Sequence, residues 1–233
     1  MSIRPALARR LGPTDATLIG LGSMIGAGVF AAFTPAAQAA GSGLLVGLAV
    51  AALVAFANAT SSAQLAAVYP TSGGSYVYGR ERLGHWWGFF AGWSFVIGKT
   101  ASCAAMALTF AAYAAPAGWE RPVAIVAVVA LATVNLFGVT RTALLTRVIV
   151  VVVLVVLAVV VAAGASTGLP ALAVTGSLVA GGWYGILQSA GLLFFAFAGY
   201  ARIATMGEEV RDPARTIPLA ITLALSATVL IYA

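Results

Sequence analysis

Apolar residues form long runs along the whole chain, and short polar or charged segments separate one run from the next. An apolar run of about 20 residues has the length that a helix needs to cross a bilayer. The pattern therefore predicts an all-α polytopic membrane protein of about seven spans. The predicted spans lie at about residues 16–40, 44–68, 86–114, 121–138, 143–165 and 183–207, with a seventh from about 217. Because the seventh run has no polar flank after it, we expect the chain to be the N-terminal part of a longer protein.

The first predicted span is interrupted by a glycine-rich stretch, residues 20–30, that contains four glycines within nine positions. These glycines weaken a helix, because each costs about 1 kcal/mol relative to alanine in a helix interior. Backbone that leaves a helix at membrane depth must line a cavity or be buried in protein. The stretch thus predicts a break that holds a small polar molecule, with the next helix N-terminus offering N–H groups to an anion.

Two other interpretations of these glycines stay open. Gly22 and Gly26 have the spacing of a small-residue face on which two membrane helices pack. Together with Gly20 they also loosely imitate a dinucleotide-binding loop, which requires a preceding strand and a βαβ unit. The sequence indicates no such strand, so the packing face is the stronger alternative.

Composition and charge narrow the class of protein. The chain is 62% hydrophobic and 8% charged, whereas roughly a quarter of the residues in a soluble domain are charged. The net charge of +6 lies mainly in short loops between spans, which argues for an orientation signal and against a nucleic-acid partner. With the N-terminus inside, the inner arginines are Arg4, Arg9, Arg10, Arg80, Arg82, Arg141, Arg147, Arg211 and Arg215. This predicts a multi-pass protein of the plasma membrane, embedded in lipid, with residues 1–14 as a cytoplasmic tail.

The residues that soluble enzymes use are scarce. Cys103 lies in an apolar run, His85 is far from it, and no cluster has metal-ligand spacing. We therefore expect no enzyme activity, no metal and no cofactor.

The sixth predicted span supplies a second break. Gly199 and Arg202 follow a run of aromatic and alanine residues late in an apolar helix. Corresponding interruptions in two halves of a membrane chain are the sequence pattern of a transporter with a binding site at the membrane midplane. We expect the first span to unwind near residues 23–28 and the sixth near 198–200, with the two breaks facing each other.

The connection at residues 69–76 is rich in turn formers and carries no charge. It is interpreted either as a short re-entrant or gate-lining segment or as a plain turn. At the start of the first span, Asp15 is interpreted as an N-cap.

Three ordered motifs resemble the amino acid–polyamine–organocation (APC) permeases. Gly22–Phe30 is similar to the first-span signature of that family, and Tyr69–Tyr76 to the loop after its second span. Phe195–Tyr200, followed by Glu208–Pro218, resembles its sixth span and the following loop. The resemblance implies the LeuT-type fold of two inverted five-helix repeats with broken first and sixth helices. Residues 15–166 would then be the first repeat, and residues 183–233 the start of the second.

The resemblance also implies roles for individual residues. Backbone amides of the first break would receive a substrate carboxylate, and carbonyls of both breaks its ammonium group. Phe195 stands at the position of a stacking aromatic gate, and two side chains of the third span line the site. The implied substrate-binding residues are Ser23, Ile25, Gly26, Ala27, Gly28, Phe195, Ala198 and Gly199, and the coupling or gating candidates are Lys99, Ser102, Tyr200 and Arg202.

The chain departs from the family pattern at its titratable positions. Many relatives have a glutamate where this chain has Ala201, and some have a lysine in the fifth span, where this chain is apolar near Val153. Instead, Lys99 places a lysine deep in the third span. A lysine removed from water can lose its proton near neutral pH, so Lys99 is a candidate proton carrier. Alternatively, it stays charged and pairs with an acidic substrate or with a carboxylate elsewhere, and Arg202 is interpreted as a structural pin or gate residue.

We therefore expect a secondary active transporter for amino acids or related amines, coupled to protons or working by exchange. The alternative is a truncated or non-transporting membrane scaffold derived from such a permease. A channel is the weakest option, because no pore-lining pattern repeats along the chain.

Overall fold

Helices make up nearly all of the secondary structure that the computed structural model describes. It describes Arg9 and residues 11–26, 28–136, 139–166 and 182–233, without the side chains of residues 139–143 and 165. The helices are α1 Pro13–Met24, α2 Phe33–Ala40, α3 Leu44–Val68, α4 Ser75–Leu83, α5 His85–Ala114, α6 Glu120–Leu136, α7 Val139–Ser166, α8 Gly182–Phe197, α9 Tyr200–Ala204 and α10 Pro213–Tyr232. A π-helical turn, Gly28–Ala32, precedes α2, and a 3₁₀ turn, Gly41–Gly43, follows it. Within the described residues there is no strand, which confirms the all-α prediction.

Four helical runs of the described chain are long and apolar enough to cross a membrane. They are Pro13–Val68, which contains α1 to α3, and then His85–Ala114, Leu144–Gly164 and Pro213–Tyr232. Gly182–Phe197 is apolar but shorter. The chain is therefore a helical membrane protein, and the count of seven spans stays a prediction.

The predicted span limits agree with the described helices to within about four residues, and the last two spans show why they differ. The sixth span was predicted to reach residue 207, but α9 ends at Ala204 and a turn follows. The seventh was predicted from 217, but α10 begins at Pro213. Proline suits the first helical position, since its missing N–H would have no partner there. The polar residues before 217 are therefore part of the helix rather than of the loop.

The core forms where α1, α3, α8 and α10 pack together. On α3, the alanines Ala51, Ala55, Ala59 and Ala63 recur every four residues and are buried. Small residues let helix backbones approach closely in a membrane, where dispersion contacts replace the hydrophobic effect as the packing force. At Gly47 the two helices are so close that a Cβ would overlap the Ser189 hydroxyl of α8. By contrast, most side chains of α5, α6 and α7 are exposed.

A layer of connections closes the end of the bundle that the charge pattern assigns to the cytoplasm. The Leu11 N–H donates to the Glu209 carbonyl at 3.1 Å, and the Arg211 N–H donates to the Leu11 carbonyl at 2.9 Å. The Ser72 N–H donates to Glu208 Oε1 at 3.1 Å. Gly207 lies against the backbone of the 69–76 connection, so that a Cβ there would come within 2.7 Å of the Pro70 carbonyl carbon.

One interpretation at this end stays open and one is wrong. The 69–76 connection contains a turn and then the first residues of α4, which decides neither for a gate-lining segment nor for a plain turn. Asp15 is not the N-cap of α1, since Gly12 occupies that position. The Asp15 carboxylate instead accepts the Gly12 N–H at 3.3 Å and pairs with Arg147 of α7.

Candidate substrate site at two facing helix breaks

The first apolar run breaks where the glycine-rich stretch predicts it. Regular α-helix ends at Met24, and the Ile25 N–H still donates to the Leu21 carbonyl at 2.8 Å. The Gly26 N–H then turns back to the Met24 carbonyl at 3.0 Å, and helix resumes at Gly28 with π geometry. The break is thus confirmed, although Ser23 is still helical. Ala27 lies outside the described residues.

The sixth predicted span breaks at the expected place as well. Helix α8 ends at Phe197, Ala198 and Gly199 form a turn, and α9 begins at Tyr200. Here the N–H groups bond three residues back instead of four. The bonds run from Ala198 to Phe195 at 3.2 Å, from Ala201 to Ala198 at 3.3 Å, and from Arg202 to Gly199 at 3.0 Å. The carbonyls of Phe195 and Ala198 therefore keep a lone pair each for a further donor.

The two breaks lie directly against each other. A Cβ on Gly199 would overlap the carbonyl of Ser23 and approach the Met24 nitrogen to 2.5 Å. A Cβ on Gly28 would come within 2.6 Å of the Ala196 Cα in α8. The predicted facing arrangement is therefore confirmed, and glycine is the residue that permits such close backbone contact.

Some glycines of the first break serve as a packing face, and another borders open space. Gly20 packs on the Ile203 side chain, and Gly22 on Val150 of α7, as in a small-residue packing face. Gly26 differs, because a Cβ there would meet only the Met106 sulfur at 3.9 Å. A helix, and no strand, precedes the stretch in the described chain, so the dinucleotide-loop interpretation is wrong.

A cavity of about 60 Å³ opens beside Gly26 between the two breaks. Its lining consists of Ser23, Met24, Gly26, Gly28, Lys99, Ser102, Met106, Phe195, Ala198 and Gly199. Eight of the residues implied by the family resemblance thus meet around one cavity. Three others lie apart: the Ile25 side chain is buried against Val150, and neither Tyr200 nor Arg202 lines the cavity.

Lys99 is the one ionisable residue in this lining. Its ammonium lies 5.7 Å from the centre of the Phe95 ring, within cation–π range. No carboxylate among the described residues forms an ion pair with it. Lys99 therefore offers a positive charge and hydrogen-bond donors to whatever enters the cavity.

Arg202 and Tyr200 lie outside this lining, and Tyr200 is buried in the core. The Arg202 guanidinium donates to Thr205 Oγ1 at 3.1 Å and lies 3.4 Å from both carboxylate oxygens of Glu209. These contacts fit the predicted role of a structural pin, since they join α9 to the turn that follows it.

Sequence reasoning missed Tyr232, which holds the two breaks together. Its hydroxyl lies 2.8 Å from the Met24 carbonyl oxygen and 3.3 Å from the Ala196 carbonyl oxygen. Its ring packs on Phe33 and Phe197, with centroids 5.5 and 5.2 Å away. A buried tyrosine hydroxyl usually has a hydrogen-bond partner. A tyrosine late in an apolar run therefore indicates a buried hydrogen bond to another part of the chain.

We expect Tyr232→Phe to destabilise the complete gene product that carries these residues by about 1–3 kcal/mol. The reason is that the Met24 and Ala196 carbonyls lose their shared donor while they stay buried. The thermal midpoint in detergent measures the loss. Tyr184→Phe is the matched control, because Tyr184 is 81% exposed. Equal midpoints for the two variants would contradict the bridging role of Tyr232.

Facing helix breaks around a small cavity are an arrangement that membrane transporters use to hold a substrate near the middle of the membrane. The model of the amino acid permease family matches residues 15–233, and the chain belongs to this family, within the APC superfamily. A protein named as an uncharacterized transporter of Mycobacterium tuberculosis is 65% identical over 227 residues, which are 97% of this chain and 51% of that protein.

Two more distant relatives come from Bacillus subtilis. The branched-chain amino acid permease BcaP is 27% identical over 250 residues, and the methylthioribose transporter is 26% identical over 250 residues. Each match covers 97% of this chain, but 53% and 54% of the two relatives. The chain thus spans about half the length of the curated relatives that it matches.

Proposed function

We propose that this chain supplies the substrate site and inner gate of a secondary active transporter for amino acids or related amines. The observation that carries the proposal is the cavity at the meeting of two broken helices. In this proposal the fold is LeuT-type, with residues 15–166 as the first repeat and 183–233 as the start of the second. The remaining spans would come from a part of the protein outside these residues, as the length of the relatives suggests.

The proposed pose follows from the polarity of the two breaks. The substrate carboxylate lies at the amides beside Gly26, where helix begins again and N–H groups carry partial positive charge. The ammonium group lies at the carbonyls of Ser23, Phe195 and Ala198, and the Phe195 ring covers the substrate. The Ser23 hydroxyl donates to the Ile19 carbonyl at 2.8 Å, which leaves its lone pairs available for the ammonium group.

A second cavity supports alternating access. It has a volume of about 120 Å³, and its lining includes Asn58, Ser62, Tyr200 and Thr205. Helix α5 contributes Gly92 and Phe95 to this cavity and Lys99 and Ser102 to the first, so one helix face lines both. We propose that substrate leaves the first cavity through the second.

To open this route, contacts must break in the layer of connections at the end of the bundle that the charge pattern assigns to the cytoplasm. The bridge between Leu11 and the 209–211 segment and the Asp15–Arg147 pair are the contacts that hold the start of α1. The ion pair is exposed, and exposed ion pairs contribute about 0–1 kcal/mol, whereas Leu11 and Val210 of the bridge are buried. In the proposal the ion pair breaks at little cost in each cycle, and the bridge is the contact that must open before α1 can move. In the proposal the protein lies in the plasma membrane with its N-terminus in the cytoplasm, and the excess of arginine on this side supports that orientation.

The test is uptake of radiolabelled leucine, methionine and putrescine into liposomes that contain the complete protein. A transporter accumulates at least one of these above the level of empty liposomes, and more so under an imposed proton gradient. A non-transporting scaffold gives the empty-liposome level for all three with or without the gradient. Calorimetry in detergent measures binding of the same compounds to the protein. Binding without uptake would point to a failure of reconstitution.

In the proposal Lys99 carries the coupled proton, so Lys99→Gln should uncouple uptake from the proton gradient. In this variant the pH dependence of uptake flattens, while exchange of labelled for unlabelled substrate continues. The reason is that glutamine keeps hydrogen-bond donors at the cavity but cannot take up and release a proton. Uptake at several external pH values, with and without a gradient, measures the effect.

Ser102→Ala is the matched control, because Ser102 lines the same cavity but does not titrate. It should keep the wild-type pH profile. A Lys99→Gln variant that keeps this profile and changes only its substrate preference would assign Lys99 to substrate binding and contradict the proton role.

A further inference from the structure

An apolar groove of about 440 Å³ lies between α5 and α6, away from both cavities described above. Ala104, Ala107 and Leu108 line its α5 side, and Ala124 and Val128 belong to its α6 side. Arg121 is the one charged residue of the lining. We propose that this groove binds one glycerophospholipid, with an acyl chain along the apolar lining and the headgroup phosphate at Arg121.

The dimensions of the groove match one leaflet of a bilayer. Arg121 and Val129, both in the lining, lie eight positions apart on α6. At 1.5 Å per helical residue this is about 12 Å, and the hydrocarbon half of a bilayer is about 15 Å thick. The groove thus has a cationic end at headgroup depth and an apolar remainder, which is the polarity profile of a phospholipid molecule.

The surface between the two helices is open along this stretch. Ala111 and Ala124 are buried near the connection of α5 and α6, but Ala104 is exposed and Val128 is 45% exposed. Their small or short side chains leave a concave surface that no described residue fills. An acyl chain is the apolar group that a membrane supplies everywhere, and it loses no hydrogen bonds on entering such a surface.

The charges at the end of the groove favour a phosphate there. Arg121 forms no ion pair with any described residue. The neighbouring Glu120 carboxylate accepts the Gly118 N–H at 3.1 Å, and backbone hydrogen bonds from Glu120 and Gly118 lower the pKa of Glu120. Glu120 is therefore engaged by the loop, and the Arg121 guanidinium stays available for a bidentate contact with phosphate oxygens.

The experiment counts lipids on the complete protein by native mass spectrometry during titration with palmitoyl-oleoyl phosphatidylglycerol in detergent. We expect one retained lipid per chain. Arg121→Gln should weaken its binding about fivefold, since an arginine near an anionic headgroup is worth about 1 kcal/mol. Ala104→Phe fills the groove and should remove this lipid. Ala130→Phe adds the same ring on α6 outside the groove lining and should bind like the wild type.

Three results would overturn the proposal. Retention of the lipid by both Arg121→Gln and Ala104→Phe would place the lipid elsewhere. If Ala104→Phe lowers the thermal midpoint but leaves the lipid count unchanged, another segment of the complete protein covers the groove. Loss of a dimer peak in Ala104→Phe would assign the groove to a second copy. Because Arg121→Gln adds no bulk, its result remains decisive even if Ala104→Phe does not fold. None of these outcomes depends on whether the protein transports amino acids.

Discussion

Gly199→Ala is expected to prevent the two breaks from meeting and to abolish the folded state of the complete protein. Gly199 has φ −61° and ψ −21°, which alanine adopts without strain. The added methyl group, however, would overlap the backbone of Ser23 and Met24. Overpacking a core usually costs about 1–3 kcal/mol, and here the cost should exceed that range because backbone atoms cannot rotate away. The yield of monodisperse protein and its thermal midpoint measure the effect.

Gly191→Ala is the matched control for this prediction. It makes the same change in α8, but nothing in the described chain lies within 4 Å of the added Cβ. Alanine favours a helix by about 0.5–1 kcal/mol over glycine, so Gly191→Ala should fold at least as well as the wild type. A Gly199→Ala protein with the wild-type thermal midpoint would show that the two breaks do not touch as described.

Gly26→Val is expected to weaken substrate binding about tenfold or more while the protein remains folded and inserted. A side chain at Gly26 projects toward the cavity, where it would meet only the Met106 sulfur at 3.9 Å. It therefore takes the space that the proposed carboxylate needs without disturbing a helix contact. Loss of one charged hydrogen bond, about 1.5–3 kcal/mol, corresponds to a weakening of about tenfold or more. Gly26→Ala should give an intermediate affinity in a binding assay with the substrate that the uptake experiment identifies.

Gly28→Val separates this effect from simple misfolding. Its side chain would collide with the Ala196 backbone of α8, so we expect loss of folded protein rather than a selective loss of affinity. Unchanged affinity in a folded Gly26→Val protein would rule out the amides beside Gly26 as the carboxylate site. The two glycines are two positions apart, so the comparison holds the rest of the sequence environment nearly constant.

The positions of the two breaks could be predicted because their causes are local. Glycine weakens the helix around Gly26 and Gly199 whatever surrounds it. The span limits follow in the same way from apolar run length, as α3 at Leu44–Val68 illustrates. Helix ends were less predictable where capping decides them. Pro213 starts α10 and Gly12 caps α1, and these choices depend on the turn before each helix rather than on hydropathy.

Other features depend on which residues meet in space. The sequence could not say which of the four glycines pack tightly against another helix and which has open space beside it, because Val150, Ile203 and Ala196 are far from them along the chain. Nor could it pair Asp15 with Arg147 or join Tyr232 to the Met24 carbonyl across 208 positions. Such contacts follow from the packing of whole helices, which no local pattern encodes.

By itself, then, the sequence determined the membrane class, the helical architecture and the two points where the helices break, since hydropathy and glycine content act locally. Only the tertiary structure decided that Gly26 and Gly28 line the cavity, that only Gly26 of these two has room for a Cβ, and that Lys99 and Phe195 join them there. It also decided that Tyr232 holds the breaks together. The physical reason is that close backbone approach and shared carbonyls arise only when α1, α8 and α10 pack against one another.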